Sequence, residues 1–486
     1  MHKVDKDLLS IQEARIALET AKDAQFLMKE YSQEFFHNIV RKMIQEIRPL
    51  IPEYVACEIE ETGKGCQKEK EAFVLQFLRA MEAEIGTRTY IGATAKDSAG
   101  KILQVGVPLG VIPVFLPSEN VVINTLYSLF AGLQSANAII AVPHEKATKT
   151  PSLVIKKIQQ IGREIGLPRG SICCIDYLTE CGGEELINSP MASMILVLGQ
   201  KKYIDTTIPK RPIIYGASGA TPVFIERSAD VPYAVKSIIE SRAYDHGLLP
   251  ASEQYLIVES IVAEQVKNEL LENGAYFLSK EEEAKLVALL QPINGDIQEA
   301  CVGKSAEWLA SNAGIDLPKD IRILVSEQSY LHDQDPFVHE MSCPVLVFYR
   351  EPDWRHACEK AIYLLQEKNN GHTLAIHSKE QAVVNEFALK KPVARMVVNA
   401  AASFSSMGLG STLQLSPILG GFTRGHGISA ENITAANLTY TREISYASNP
   451  FLEEKTTVDH VQDSQVQAQL LEKVLKKMME KQFVEK

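Results

Sequence analysis

The sequence predicts an α/β fold made of two units with parallel sheets, and three observations carry that reading. Short apolar runs at Ala138 to Val142, Ile172 to Ile175 and Met194 to Leu198 are separated by helical stretches such as Thr150 to Ile165, the pattern of strands covered on both faces. After residue 250 the alternation begins again: helices at about 261–273 and 279–290, strands at Ile321 to Val325 and Val345 to Tyr349, a helix at 352–367, and strands at Leu374 to Ile376 and Met396 to Asn399. At 486 residues, 45% hydrophobic and 23% charged, the chain is long and apolar enough to enclose more than one core.

Taken in order, residues 5–50 and 67–85 read as helices, with Leu8, Ile11, Ile16 and Leu18 and then Phe73, Val74, Phe77, Leu78 and Met81 spaced for a buried stripe. Glu60 to Lys70, charged and punctuated by glycine, reads as a solvated turn. From Lys101 the period changes, and Ile102, Gln104, Gly106 and the run Leu109 to Leu116 read as strands. The centre of the chain is Arg211 to Ser260: a strand (Pro212 to Tyr215), a turn holding Gly216 and Gly219, a strand (Val223 to Glu226), a helix with Ala234, Ile238 and Ile239 on one face, and a loop from Ala243 to Gln254 leading into the apolar run Tyr255 to Val258. Leu438 to Tyr446 alternates like an exposed strand, an edge that needs a partner. Residues 463–486 form an amphipathic helix. The expected division is 1–226 for a first α/β domain with a hairpin at about 94–107, 227–425 for a second α/β domain, 426–462 for a return segment with the exposed strand, and 463–486 for the terminal helix.

A net charge of −11 argues against sequence-independent binding to nucleic acid or to an anionic membrane, since both need a basic face, and leaves a small molecule as the expected partner. The first residues carry charge where a secretory leader needs an apolar core, and no apolar run reaches the length of a membrane span, so a cytoplasmic chain is expected. The eight cysteines show no CxxC spacing, and Cys173-Cys174 lie inside an apolar strand, so neither a metal nor a disulfide framework is expected.

The turn Gly216-Ala-Ser-Gly-Ala-Thr-Pro222 and the loop Ala243-Tyr-Asp-His-Gly-Leu-Leu-Pro-Ala-Ser-Glu-Gln254 resemble the aldehyde dehydrogenase superfamily, most closely its acylating, coenzyme A-dependent branch. In that branch the loop reads asparagine-glycine, two apolar residues, then cysteine-alanine-serine-glutamate-glutamine. Ala251-Ser-Glu-Gln254 matches, and Pro250 stands where the branch has its nucleophilic cysteine. The resemblance extends from about residue 10 to 450 and implies further positions. Asn120, in Pro117-Ser-Glu-Asn120, matches the asparagine whose amide donates to the oxyanion; a helix N-cap is the other reading. Pro143 and His144 match the strand end beneath the adenosine of NAD or NADP, and with Glu145 and Lys146 adjacent the choice between the two stays open. Gly199 keeps one position of a glycine turn in which Gln200 and Lys201 replace smaller residues. Glu340, in Pro336-Phe-Val-His-Glu340, matches the glutamate that holds the nicotinamide ribose. Gly216 stands where hydrolytic members carry a glutamate, which implies coenzyme A rather than water as acyl acceptor. Gly371-His-Thr373 and Arg395 to Asn399 match as structural segments, and Leu409-Gly410, Leu415-Ser-Pro417 and Gly425 to Ser429 match the loops bordering the acyl site.

Proline at 250 supplies no nucleophile, fixes φ and removes an N–H. Cys343 is the cysteine that the resemblance places near the cleft, against its reading as a small buried residue; His246, beside Asp245, is a speculative proton carrier, against its reading as a common loop histidine. The implied function is an oxidoreductase using NAD or NADP on an aldehyde/acyl-CoA pair, its mechanism altered or impaired at Pro250. The alternatives are a catalytically inactive relative acting as a binding or scaffold subunit and a non-covalent carbonyl reductase. The resemblance also implies that the first domain binds the dinucleotide, that the second is catalytic, and that the exposed strand and the hairpin at about 94–107 join subunits into a homodimer or dimer of dimers; an intramolecular pairing of that strand is the other reading. For the terminal helix it leaves two readings, docking on its own body or recruitment to a bacterial microcompartment.

Overall fold

The computed structural model describes residues 5–199, 210–216, 219–290, 297–330, 336–366, 372–421, 429–446 and 459–482. The expected helical start resolves into α1 (Lys6–Met28), α2 (Gln33–Ile47) and α3 (Ile51–Thr62), followed by α4 (Gln67–Glu84). Local chemistry sets these limits. The Asp5 carboxylate accepts from the N–H groups of Asp7 and Leu8, the Ser32 hydroxyl accepts from Phe35 N–H, and Gly63 closes α3 at φ 65°. The segment read as a solvated turn is otherwise. Lys64 and Lys70 are 7% and 3% exposed, because each finds carboxylates inside the fold.

Two parallel sheets follow. The strands β3 (Val111–Phe115), β4 (Ala138–Val142), β5 (Ile172–Cys174), β6 (Ile195–Val197) and β7 (Ile213–Tyr215) form a five-stranded sheet in the order β5-β4-β3-β6-β7, after a hairpin of β1 (Gly92–Lys96) and β2 (Ile102–Pro108). The helices α5 (Val121–Gln134), α6 (Lys149–Ile165) and α7 (Glu180–Asn188) belong to this part of the chain. The strands β8 (Thr221–Ile225), β9 (Glu253–Glu259), β10 (Ala275–Phe277), β11 (Ile323–Gln328), β12 (Val345–Glu351), β13 (Thr373–His377) and β14 (Arg395–Val398) form a seven-stranded sheet in the order β10-β11-β12-β9-β8-β13-β14. β8 pairs with β9 and β13, so the change of sheet falls between Tyr215 and Thr221. Strands β3, β4, β8 and β9 are buried along their whole length, as a parallel sheet covered on both faces requires.

By internal contacts the chain divides into Met1–Thr94 with Gly106–Thr441, and Ala95–Val105 with Arg442–Lys486. In the smaller unit the Asp97 carboxylate accepts from the N–H groups of Ala99 and Lys101, Ile444 N–H donates to Leu103 O at 2.8 Å, and Lys101 Nζ lies 5.1 Å from the Tyr446 ring centroid. Its helix, Asp459–Gln482, carries Val466, Leu470, Leu471, Val474 and Leu475, all more than half exposed. Among the described residues no helix is long and apolar enough to cross a membrane.

Candidate functional site

The carboxyl edge of the five-stranded sheet meets the amino edge of the seven-stranded one, and a cavity of about 460 Å³ lies there. From the first sheet it is lined by Pro117 to Asn120 after β3, His144 after β4, Leu198 after β6 and Gly216 after β7. From the second come Gly219 and Ala220 before β8, Gly247 to Ser252 before β9, and Glu340 to Ser342 before β12. Asn120, Pro250 and Glu340, far apart in the sequence, thus line one cavity. Pro143 and Gly199 sit at the same strand ends without lining the cavity; a Cβ on Gly199 would lie 2.7 Å from Pro117 Cα, so close packing there demands glycine. Gln200, Lys201, Gly371 and Gly425 to Ile428 lie outside the described residues.

Asn120 does not cap α5. Its φ is 50°, and its side chain makes no cap bond; instead Nδ2 donates to Leu248 O at 2.8 Å and Oδ1 accepts from Lys70 Nζ at 2.9 Å. Lys70 also reaches Asp245 Oδ2 at 2.6 Å and Glu58 Oε1 at 3.2 Å, while Glu58 Oε2 accepts from Val122 N–H. Burial alone would strip the Lys70 ammonium of its proton, but the two carboxylates hold its pKa above the ordinary lysine value. Burial raises the Asp245 carboxyl to about 6, with Lys70 opposing.

The loop carrying Pro250 is built on unusual backbone. Asp245, His246 and Ala251 have φ of 50°, 54° and 61°, and Gly247 has 78°. Three non-glycine residues in the left-handed region each add strain on the order of 1–2 kcal/mol, so the surroundings must fix them. They do: Asp245 Oδ1 accepts from Cys66 N–H, Asp245 N–H donates to Glu69 Oε2, and His246 Nδ1 lies 3.0 Å from Gly303 O. His246 is not among the cavity-lining residues, though Gly247 beside it is. Cys343 lies outside the lining too; it is fully buried, and burial pushes its thiol up to about 12. None of the described residues lining the cavity is a cysteine.

Glu340 Oε2 accepts from Gly219 N–H at 2.6 Å, and His372 Nε2 lies 2.5 Å from Gly219 O, so both backbone groups of Gly219 are held. Burial lowers the His372 imidazole to about 4, so it is neutral. Arg242 is buried with its donors on Val345 O, Ser252 Oγ and Met341 O. At the other end Lys64 meets Ser118 and Glu119, and Lys146 pairs with Glu299. Burial favours the neutral Glu119 carboxyl, yet Lys64 beside it holds its pKa below the ordinary value.

Residues 7–279 match the aldehyde dehydrogenase family. The chain belongs to that family. As an aldehyde dehydrogenase it overlays, across 92% of its own length and 99% of the other chain, a probable aldehyde dehydrogenase of Listeria monocytogenes (TM-score 0.87, 32% identity) and an acetylating aldehyde dehydrogenase of Geobacillus thermoglucosidasius (TM-score 0.87, 30% identity). Aldehyde-alcohol dehydrogenase 2 of Entamoeba histolytica is 26% identical over 88% of this chain and 49% of its own; the acetylating succinate-semialdehyde dehydrogenase of Clostridium kluyveri is 25% identical over 88% and 94%. The chain spans about half the length of the first curated relatives that it matches.

Sequence reasoning missed Glu58, Lys70 and Arg242. A signal existed for two of them. Lys70 stands at the stripe position of Phe73, Val74 and Phe77, and Glu58 at that of Ile51, Tyr54 and Val55, so each charge sits on a core-facing stripe.

Proposed function

We propose that this aldehyde dehydrogenase binds a nicotinamide nucleotide and an aldehyde/acyl-CoA pair in the 460 Å³ cavity, and that the thioester-forming step of the acylating branch is missing from it. The observation that carries this is Pro250 on the cavity wall beside Asn120, with no thiol among the described lining residues. The substitute that the resemblance offers, Cys343, is buried and held as the neutral thiol, so it supplies no attacking sulfur.

The residues present fit a nucleotide. The cavity has cofactor-site dimensions, glycines at 216 and 219 leave its wall open to close backbone approach, and Glu119 and Glu340 bring carboxylates that accept from ribose hydroxyls. Bound there, a nicotinamide would supply hydride transfer to or from a carbonyl. Glu340 would hold a ribose hydroxyl, and Asn120 would offer its amide once turned from Leu248 O. That this donor is spent on the loop's own carbonyl favours a second reading, a binding or scaffold subunit that holds ligands without turnover. Pairing of two copies through the strand β15 (Thr439–Glu443), which is hydrogen-bonded along one edge to β2 of its own chain, belongs to the same proposal.

Titration with NADH and NADPH, followed by nucleotide fluorescence, and assay of acetyl-CoA reduction by the chain and by Pro250→Cys test the proposal. Nucleotide binding by both proteins, with acyl-CoA turnover in Pro250→Cys alone, is expected. Robust acyl-CoA reduction by the unaltered chain, abolished by iodoacetamide, would refute the missing step; failure to bind either nucleotide would refute the cofactor.

A further inference from the structure

A buried lysine–cysteine pair lies outside the cavity and takes no part in the proposed dehydrogenase chemistry. Cys358 stands in the helix Trp354–Gln366, and Lys391 directly follows the helix Gln381–Lys390, 33 residues on. Both helices give side chains to one apolar core, Ala357, Ala361 and Leu364 from the first and Val383, Val384 and Phe387 from the second. Cys358 and Lys391 are 8% and 7% exposed, and Lys391 Nζ is in direct contact with Cys358 Sγ.

The root and the tip of Lys391 are both held. Its N–H donates to Phe387 O at 3.1 Å, its carbonyl accepts from Val393 N–H at 2.9 Å, and its Nζ lies 4.4 Å from the Phe387 ring centroid. Cys358 Sγ is the one hydrogen-bond partner that Nζ finds among the described residues, and no carboxylate there pairs with it. The buried lysines Lys64 and Lys70, by contrast, each meet carboxylates. An ammonium taken out of water regains too little from a ring face and a thiol to offset its lost hydration, whereas a covalent link to the sulfur would remove the charge altogether. Fixed contact between an amine and a thiol also supplies the proximity that such a link needs.

We infer that Cys358 and Lys391 are a redox cross-link site, joined as Nζ–O–Sγ with dioxygen as the oxidant. Once the ammonium has lost its proton to water, the amine and the thiol each give up one hydrogen, the O–O bond breaks, and N–O and O–S bonds form. The electrons withdrawn from nitrogen and sulfur reduce both oxygen atoms, one kept in the bridge and the other released as water with the two hydrogens. A dithiol reverses the change, returning amine and thiol and releasing the bridging oxygen as water. The bridge closes the stretch between the two helices, which holds β13 and the His372 that lies against Gly219 O, so the oxidised chain resists unfolding more than the reduced one.

Peptide mass spectrometry of the full chain tests this, with one sample purified in air and another under argon with dithiothreitol, both alkylated with iodoacetamide after unfolding. The air sample is expected to yield a peptide pair joined through Cys358 and Lys391, about 14 Da heavier than the two free peptides together, which the reduced sample lacks. Its melting temperature should stand several degrees above that of the reduced chain, and the gap should vanish in Cys358→Ser and in Lys391→Arg, which keeps the charge but offers no amine. Alkylated Cys358 throughout the air sample overturns the inference whatever the variants do, and a joined pair without the added oxygen overturns the N–O–S bridge. A gap in melting temperature that persists in Cys358→Ser overturns the stabilising role.

Discussion

Replacing Lys70 by methionine probes the link between the buried ions and the Pro250 loop. Lys70 Nζ bonds Asp245 Oδ2 at 2.6 Å, Asn120 Oδ1 at 2.9 Å and Glu58 Oε1 at 3.2 Å, and the side chains of Lys70, Glu58 and Asp245 are 4%, 3% and 1% exposed. Removing the cation leaves two carboxylates facing each other without water, a change worth about 3–5 kcal/mol for a broken buried pair. Neutralising all three, as Glu58→Gln/Lys70→Met/Asp245→Asn, removes the stranded charge, and stability should return to within about 1 kcal/mol of the starting protein. The pH response follows from the Asp245 carboxyl, already raised to about 6 by burial with Lys70 opposing. Without Lys70 its pKa rises further, so the folded variant takes up a proton that the unfolded chain does not hold, and its deficit shrinks as pH falls from 8 to 5. Urea midpoints by circular dichroism at both pH values measure this. A loss below about 1 kcal/mol at pH 8, or a triple variant as unstable as Lys70→Met, would show that the cluster does not hold the loop.

Glu253 is fully buried, Oε1 accepts from Ala402 N–H at 2.7 Å, Oε2 has no partner among the described residues, and burial raises the group to about 7. Because the folded value lies above the unfolded one, its contribution is complete below pH 4.5 and is lost as pH rises through 7; Glu253→Gln should flatten the stability decline between pH 5 and 8 by up to about 3 kcal/mol, and parallel declines would contradict this. Gly247→Ala sets a Cβ 2.9 Å from the Cys343 carbonyl carbon and oxygen at φ 78°, whereas Gly314→Ala, at φ 68°, meets nothing within 4 Å. The first should cost about 2–4 kcal/mol in thermal or urea unfolding and the second about 1, and equal losses would remove the argument from close packing.

Much of the fold was legible because buried parallel strands write themselves as unbroken apolar runs: β3, β4, β9 and β12 fall where Leu109 to Leu116, Ala138 to Val142, Tyr255 to Val258 and Val345 to Tyr349 predict them. The three-residue strand β10 and the helix Gln381–Lys390, which buries only Val383, Val384 and Phe387, were not, since so few buried positions do not establish a period. In the site, Asn120, Pro250 and Glu340 were picked out by resemblance, and their meeting depends on loops whose course no periodicity dictates. Glu58 and Lys70 escaped because a lysine between glutamates reads as solvent-facing until its partner from residue 245 is known.

The left-handed turn before β9 is fastened at Asp245 and His246, upstream of position 250, and after Gly247 it is Ala251 rather than residue 250 that carries a positive φ. The scaffold that shapes this corner is therefore independent of whichever atom projects from residue 250. A side chain exchanged at position 250 therefore leaves the fastenings of this corner in place.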